Sequence, residues 1–486
     1  MHGNVLAAAD LSAFGTDPWW LIGLKTLFCF AFLLVMMLLC VIFERKILGW
    51  MQLRIGPNRH GPWGMLQSLA DGVKLMLKED ITVKGADKFV FVLGPVIGVI
   101  PAFMAIAVIP FGPADEVSVF GTETAMQLTD LPVAVLYILA TASIAAYGNV
   151  LAGWSSGSTY PLLGGVRATA QVISYEVAMG LSFAAVFLYS GSMSTSAIVE
   201  SQDDRWFALL LPVSFVIYLV AMVGEAHRHP FDMPESEGDL VGGFNTEYSS
   251  IKFAMFMMAE YLHVITVSAL AVTLFLGGWR APAPISTYWE GANHGWWPML
   301  WFVLKLAMMI FGFIWIRASL PRVRYDQFMK LGWKVLIPVS MAWLMLVATV
   351  RVMRNEDYSF TDIVYWVAGG VILVLLLSFL VDIFRERGEK ARAAQEQAES
   401  GQQPGAGESF DPMAGGYPVP PLPGQTLPPT PRRRSRAADR ELVDPAGDPA
   451  DPDESSTSGG GKAATPTRAA DSANAATSQG RGADGA

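Results

Sequence analysis

The chain has 486 residues, of which 52 % are hydrophobic and only 16 % charged, a balance that excludes a soluble globular protein of this size and identifies a polytopic membrane protein. Its formal net charge of -9 gathers in loops and in the C-terminal part, while many basic residues sit at the ends of apolar runs, which excludes nucleic acid as a partner. Cys29 and Cys40 share one apolar run, about 16 Å apart along a helix, so they form no disulfide with each other, and two thiols do not hold an iron-sulfur cluster.

With a window of about nineteen residues, nine apolar runs are expected to span. They are Trp19–Phe43, Phe89–Phe111, Leu131–Gly153, Ala168–Tyr189, Trp206–Gly224, Tyr248–Leu276, Trp296–Ile316, Val335–Val350 and Asp362–Phe384. The first run is followed by Arg45, Lys46, Arg54, Arg59, Lys74, Lys78, Lys84 and Lys88, and the seventh by Arg317, Arg322, Arg324, Lys330 and Lys334. This excess after odd-numbered spans puts those loops in the cytoplasm, the N-terminus outside and the tail inside. No basic n-region precedes the first run, so no cleavable signal peptide is expected. Trp63–Glu79 is too charged to cross, but Leu66, Leu69, Val73 and Met76 recur at helical spacing, which predicts an amphipathic helix lying in the membrane plane. From 385 onward the chain is rich in Ala, Gly, Pro, Ser and charge, including PRRRSR, and has too little apolar content to bury a core. The expected plan is therefore 1–18 outside, 19–384 transmembrane and 385–486 a disordered cytoplasmic tail.

Charge inside the spans marks where function is to be sought, because a charge at mid-bilayer costs roughly 2.5 to 3.5 kcal/mol even on lenient scales. Glu176, Glu260, His263 and Lys305 all fall within apolar runs. Each alone suits either a structural interhelical bond or a hydrophilic path, and the set favours the path. Glu260 and His263 are three residues apart, share a helix face and are expected to exchange a proton or a hydrogen bond. The loop FDMPESEGDLVGGFNTEY holds Asp232, Glu235, Glu237, Asp239 and Glu247 together with Phe231, Met233, Leu240, Val241 and Phe244, and Glu225 precedes it. Those apolar residues argue for packing rather than a solvated loop, with crowded carboxyls that share protons. His227 and His229 lack a third ligand at a supporting spacing and read as surface or junction residues, not a metal site. Near the membrane surface, Glu44, Arg45, Arg54 and Arg59 suit either lipid headgroups or a polar mouth for an amphipathic ligand.

Four stretches together resemble one family. They are ERKILGWMQLRIGPNRHGPWGMLQSLADGVKLMLKE, RATAQVISYE, HPFDMPESEGDLVGGFNTEYSS with AEY at 259–261, and WIRASLPRVRYDQFMKLGWK. In this order, over about residues 19–350, they resemble the quinone-site membrane component, designated H in bacteria, of the proton-pumping NADH:quinone oxidoreductase, respiratory complex I.

The resemblance implies an all-helical membrane fold whose middle spans look like an antiporter half-channel. It implies quinone, menaquinone or ubiquinone, as substrate, with FMN and iron-sulfur clusters only in partner subunits. The implied partners are the hydrophilic quinone-site subunits, adjacent membrane subunits and lipid, in a bacterial plasma membrane. Glu44, Arg45, Arg54, Asp71, Arg228 and Phe244 would bind or border quinone. Glu176, Glu225, Asp232, Glu235, Glu237, Asp239, Glu247, Glu260 and His263 would couple quinone reduction to proton movement. Two departures stand in the motif: Asp239 where the family usually has Glu, and His229, a group expected to titrate near neutrality. The ninth span and the tail fall outside the resemblance. The alternative class is an ion transporter or the related anchor subunit of a membrane-bound hydrogenase.

Overall fold

The computed structural model describes residues 17–113, 117–119, 121–203, 205–234 and 237–356. The expected ninth span and the tail lie outside the described residues, as do residues 1–16 of the expected outer segment. Within them the chain is almost entirely helical: α1 (Trp19–Met51), α2 (Gln67–Leu77), α3 (Lys88–Met104), α4 (Ala134–Ser155), α5 (Thr159–Ser190), α6 (Thr195–Glu200), α7 (Phe207–Leu210), α8 (Pro212–Glu225), α9 (Glu237–Leu240), α10 (Ser250–Phe275), α11 (Ala283–Tyr288), α12 (Trp297–Ser319), α13 (Tyr325–Leu331) and α14 (Ile337–Asn355). Seven helices are long and apolar enough to cross a membrane: α1, α3 with its 3-10 extension to Val108, α4, α5, α10, α12 and the continuous α13–α14.

Helix ends depart from the hydropathy limits for local reasons. α1 runs on past Phe43 to Met51, because ERKIL contains neither Gly nor Pro and the single Gly49 costs only about 1 kcal/mol in a helix, and this puts Glu44 and Arg45 on a helix rather than in a loop. The eighth span starts at Tyr325, with a π-helical turn at Gly332–Leu336 between α13 and α14. Pro338 follows that turn; it has no N–H to continue a regular ladder, and such a site is where a helix widens or kinks. The fifth expected span is shorter than predicted: Pro212 begins a 14-residue α8, separated by Leu211 from the four-residue α7. An antiparallel hairpin of β1 (Val117–Val119) and β2 (Thr122–Thr124) occupies a segment expected only as a loop, with Gly121 at positive φ in its turn.

α3 and α4 meet at Gly94 and Gly148. A Cβ added at Gly148 would lie 2.8 Å from the Gly94 carbonyl oxygen, so the two backbones approach as closely as small residues allow. The core is dominated by fully buried Tyr175, Phe183, Tyr218, Phe275 and Phe302. α2 keeps the predicted apolar stripe on its outer side, with Leu66, Leu69, Val73 and Met76 all exposed, as an in-plane helix facing lipid requires.

Cross-contacts sort the loops onto two faces. On one, Arg45 meets Asp71, Lys252 meets Asp80, and Arg167 and Arg322 reach Asp239. On the other, Asp17 meets Lys25 and Thr124, and Gln127 meets Thr195. The cation-rich loops and the acidic segment 226–249 therefore share a face.

Candidate functional site

The segment that follows α8 enters the protein rather than lying on it. Gln171 of α5 donates to the carbonyls of Gly224 and Phe231 at 2.6 and 2.8 Å. Phe231 packs against Phe328 of α13 with ring centroids 4.8 Å apart, and Phe328 stacks on Tyr175 at 4.3 Å. Phe244, also buried, packs edge-on against Phe256 of α10. These contacts hold the described parts of 226–249 against the bundle, as Phe231, Met233, Leu240 and Phe244 predicted; Val241 is exposed.

Beneath it, four charges from three helices and the segment form a balanced knot. Arg228 reaches Glu260 of α10 at 2.9 Å and Glu44 of α1 at 3.5 Å. Arg317, at the end of α12, donates to Glu44, and Tyr261 donates to the other Glu44 oxygen at 2.7 Å. The Arg228 guanidinium also lies 4.2 Å from the Tyr261 ring centroid, a cation–π geometry. Burial alone would lower the Arg228 pKa, but Glu260 and then Glu44 outweigh it and raise it, so this cation is permanent. Buried charges are tolerated when paired in this way.

The second cluster lies farther along α10 and α5. His263 meets Glu225, the last residue of α8, at 3.5 Å, and Glu176 of α5 accepts a hydrogen bond from Ser143 of α4. The expected Glu260–His263 exchange is thus replaced by two different partnerships: Glu260 turns to Arg228 and His263 to Glu225. Shared helix face permitted a contact, but each residue finds its partner on another element. Between the clusters is a cavity of about 60 Å³ lined by Glu225, His227, Glu260, His263, Asn149 and Phe244 among others.

The remaining expected residues divide. Asp71 pairs with Arg45 at 2.5 Å and with Lys74 at 3.6 Å; burial would raise its pKa, and the Arg45 and Gln67 hydrogen bonds with both cations lower it overall. This pair is separate from the knot, and the exposed Arg54 side chain donates to Gln52 within its own turn. Asp239 is half exposed between Arg167 and Arg322. Asp232 lies 3.6 Å from His229. Glu247 is partly buried and outside the cavity lining, and Glu235 and the Glu237 side chain lie outside the described residues. Lys305 does not join the acids: it donates to the carbonyls of Leu276, Gly278 and Arg280 at the C-terminal end of α10, on the opposite face. There its ammonium satisfies three carbonyls of the turn that follows the helix.

Both histidines differ from expectation. Burial lowers the His229 pKa, against Asp232, with Arg317, Arg322 and Arg228 adding to the fall, a shift away from neutrality. His227 is not at the surface: its Nε2 is enclosed, and burial pushes its pKa down to about 4, against the pull of Glu225. Two further partners in the knot escaped the sequence reading. Arg317 fell one residue past the expected span end and passed for a loop cation, and Tyr261 is one aromatic among many apolar neighbours.

A helical bundle with seven long apolar helices among the described residues, and a line of buried and half-buried ionisable groups within it, defines an all-α polytopic membrane protein. Residues 24–348 match the family described as NADH dehydrogenase. The chain is 71 % identical over 439 residues to the NADH-quinone oxidoreductase H subunit of Streptomyces avermitilis, covering 90 % of this chain and 94 % of that one. It is 58 % identical over 399 residues to the protein of the same name from Frankia alni, covering 81 % and 87 %. The chain belongs to this family, that of the NADH-quinone oxidoreductase H subunit.

Proposed function

We propose that the face carrying Glu44, Arg228, Arg317 and Asp71 is the membrane end of a quinone chamber completed by hydrophilic partner subunits, and that the acids behind it couple quinone reduction to proton movement. The observation that carries this reading is the continuity of ionisable groups from Glu44 and Glu260, past the cavity, to Glu225, His263 and Glu176. A bundle that only filled the membrane would gain nothing from drawing five such groups into its interior, two of them, Glu44 and Glu225, buried, since desolvating an ionised group costs several kcal/mol.

On this reading FMN and iron-sulfur centres in other subunits deliver the electrons, and menaquinone or ubiquinone accepts them at the cytoplasmic face of a bacterial plasma membrane. Negative charge arising on the quinone beside Arg228 weakens the hold of that arginine on Glu260, and the acid takes up a proton. Asp232, Asp239, Glu235 and Glu237 belong to the same funnel at its chamber end. Both Arg45 and Asp71 border the entrance, and the exposed apolar stripe of α2 lets an isoprenoid tail pass from lipid.

The deciding experiment replaces Glu225 and Glu260 singly by Gln in the intact complex, reconstituted in vesicles. NADH-driven quinone reduction should fall at least tenfold with the complex still assembled. Wild-type turnover and wild-type protons per electron in both variants would overturn the coupling role.

A further inference from the structure

We propose that His227 is a proton relay between Glu260 and Glu225, working through water held in the cavity that all three line. The proposal deepens the coupling reading and rests on it. Residues 225–228 form one short stretch with an acid of the deeper cluster at its first position and the arginine of the knot at its last. His227 lies between them, on the cavity wall. Its Nε2 is enclosed and has no hydrogen-bond partner among the described residues, and the same holds for Oε2 of Glu225.

Two buried polar atoms left unpaired beside one cavity are what a short water chain resolves. A volume of about 60 Å³ has room for on the order of four waters. Asn149 from α4 and His263 from α10 supply further polar wall. The titratable groups facing His227 are Glu225 from α8 with Glu260 and His263 from α10, and Arg228 follows it in sequence. Neither carboxylate reaches Nε2 directly, so the transfer runs through water on both sides.

The proton count closes on the imidazole. With its resting proton on Nδ1, the neutral ring takes a proton at Nε2, released by the Glu260 carboxylic acid through water. It becomes imidazolium, and the same proton leaves Nε2 for the Glu225 carboxylate. The ring ends as it began, Glu260 has lost one proton, Glu225 has gained one, and no electron moves. The low basicity of the buried ring suits this work, because it accepts only when a proton is supplied and does not keep it.

The test uses the whole complex in vesicles. His227→Gln keeps a polar side chain of similar reach and removes titration, and His227→Asn serves as the second variant. Expected in either is about a tenfold loss of turnover, a larger solvent deuterium isotope effect on turnover and a normal amount of assembled complex. Turnover within twofold of wild type with an unchanged isotope effect overturns the relay, and so does loss of assembly in both variants, which would mark a purely structural histidine. Glu225→Gln run alongside separates the two ideas: impaired Glu225→Gln with normal His227→Gln removes the relay and keeps the coupling reading, whereas two normal variants remove both.

Discussion

Arg228 is the residue on which most of the buried charge depends, since it faces Glu260 and Glu44 together. Replacing it by Met leaves Glu260 without that cation and Glu44 with Arg317 alone. Breaking a buried pair in this way costs about 3 to 5 kcal/mol. Arg228→Met should therefore lower the thermal midpoint of the detergent-solubilised complex, which differential scanning fluorimetry measures. His227 adds a pH dependence. Its folded pKa of about 4 is below the unfolded value near 6.5, so between those limits the unfolded chain holds a proton that the folded chain does not. Stability is thus full above about pH 6.5 and falls as pH drops toward 4, by up to about 3 kcal/mol. A thermal midpoint that stayed flat from pH 7 to pH 4.5 in wild type, or fell as steeply in His227→Phe, would contradict that assignment. The acids and arginines of the site were legible because charge within or beside an apolar run demands a reason. Their pairing was not, because spacing on one helix says nothing about which charge a neighbouring helix presents.

At the scale of elements, α3 and α4 are held together by absence of side chain. A Cβ at Gly148 would meet the Gly94 carbonyl and the Gly98 backbone, both at 2.8 Å, whereas one at Gly180 on α5 would meet nothing within 4 Å. Gly148→Val should cost about 1 to 3 kcal/mol through overpacking, and Gly180→Ala should be neutral or stabilise by up to about 1 kcal/mol. Comparing the thermal midpoints of the two variants checks the contrast directly. Hydropathy located the long helices but misplaced several ends, since hydropathy falls at the charges of ERKILGW and RATAQ while the helix itself runs on through them. It also missed the β1–β2 hairpin, whose three-residue strands are too short for an alternation signal.

For the whole molecule, the positive-inside count makes a prediction about orientation that the two faces now make specific. Leu53 is exposed among the cation-rich loops, and Glu123 sits on the hairpin of the other face. Both native cysteines are buried, so introduced thiols report against a low background. Leu53→Cys should react with a membrane-impermeant maleimide only from the cytoplasmic side, and Glu123→Cys only from outside; the reverse pattern would invert the topology. The family itself was legible because four long motifs in fixed order are jointly improbable by chance. The cavity was not, since it is made by Asn149, Phe244 and Glu260 arriving from separate parts of the chain.

Glu225, His227 and Arg228 bring one further consequence, for how this region tolerates change in length. Glu225 ends a helix and faces His263, while Arg228, three residues later, closes the knot with Glu44 and Glu260. One inserted or deleted residue between them would put only one of the two back in register. Conservative substitutions there can be absorbed by neighbours; an insertion cannot, and the spacing of this tetrapeptide is a stricter constraint than its composition.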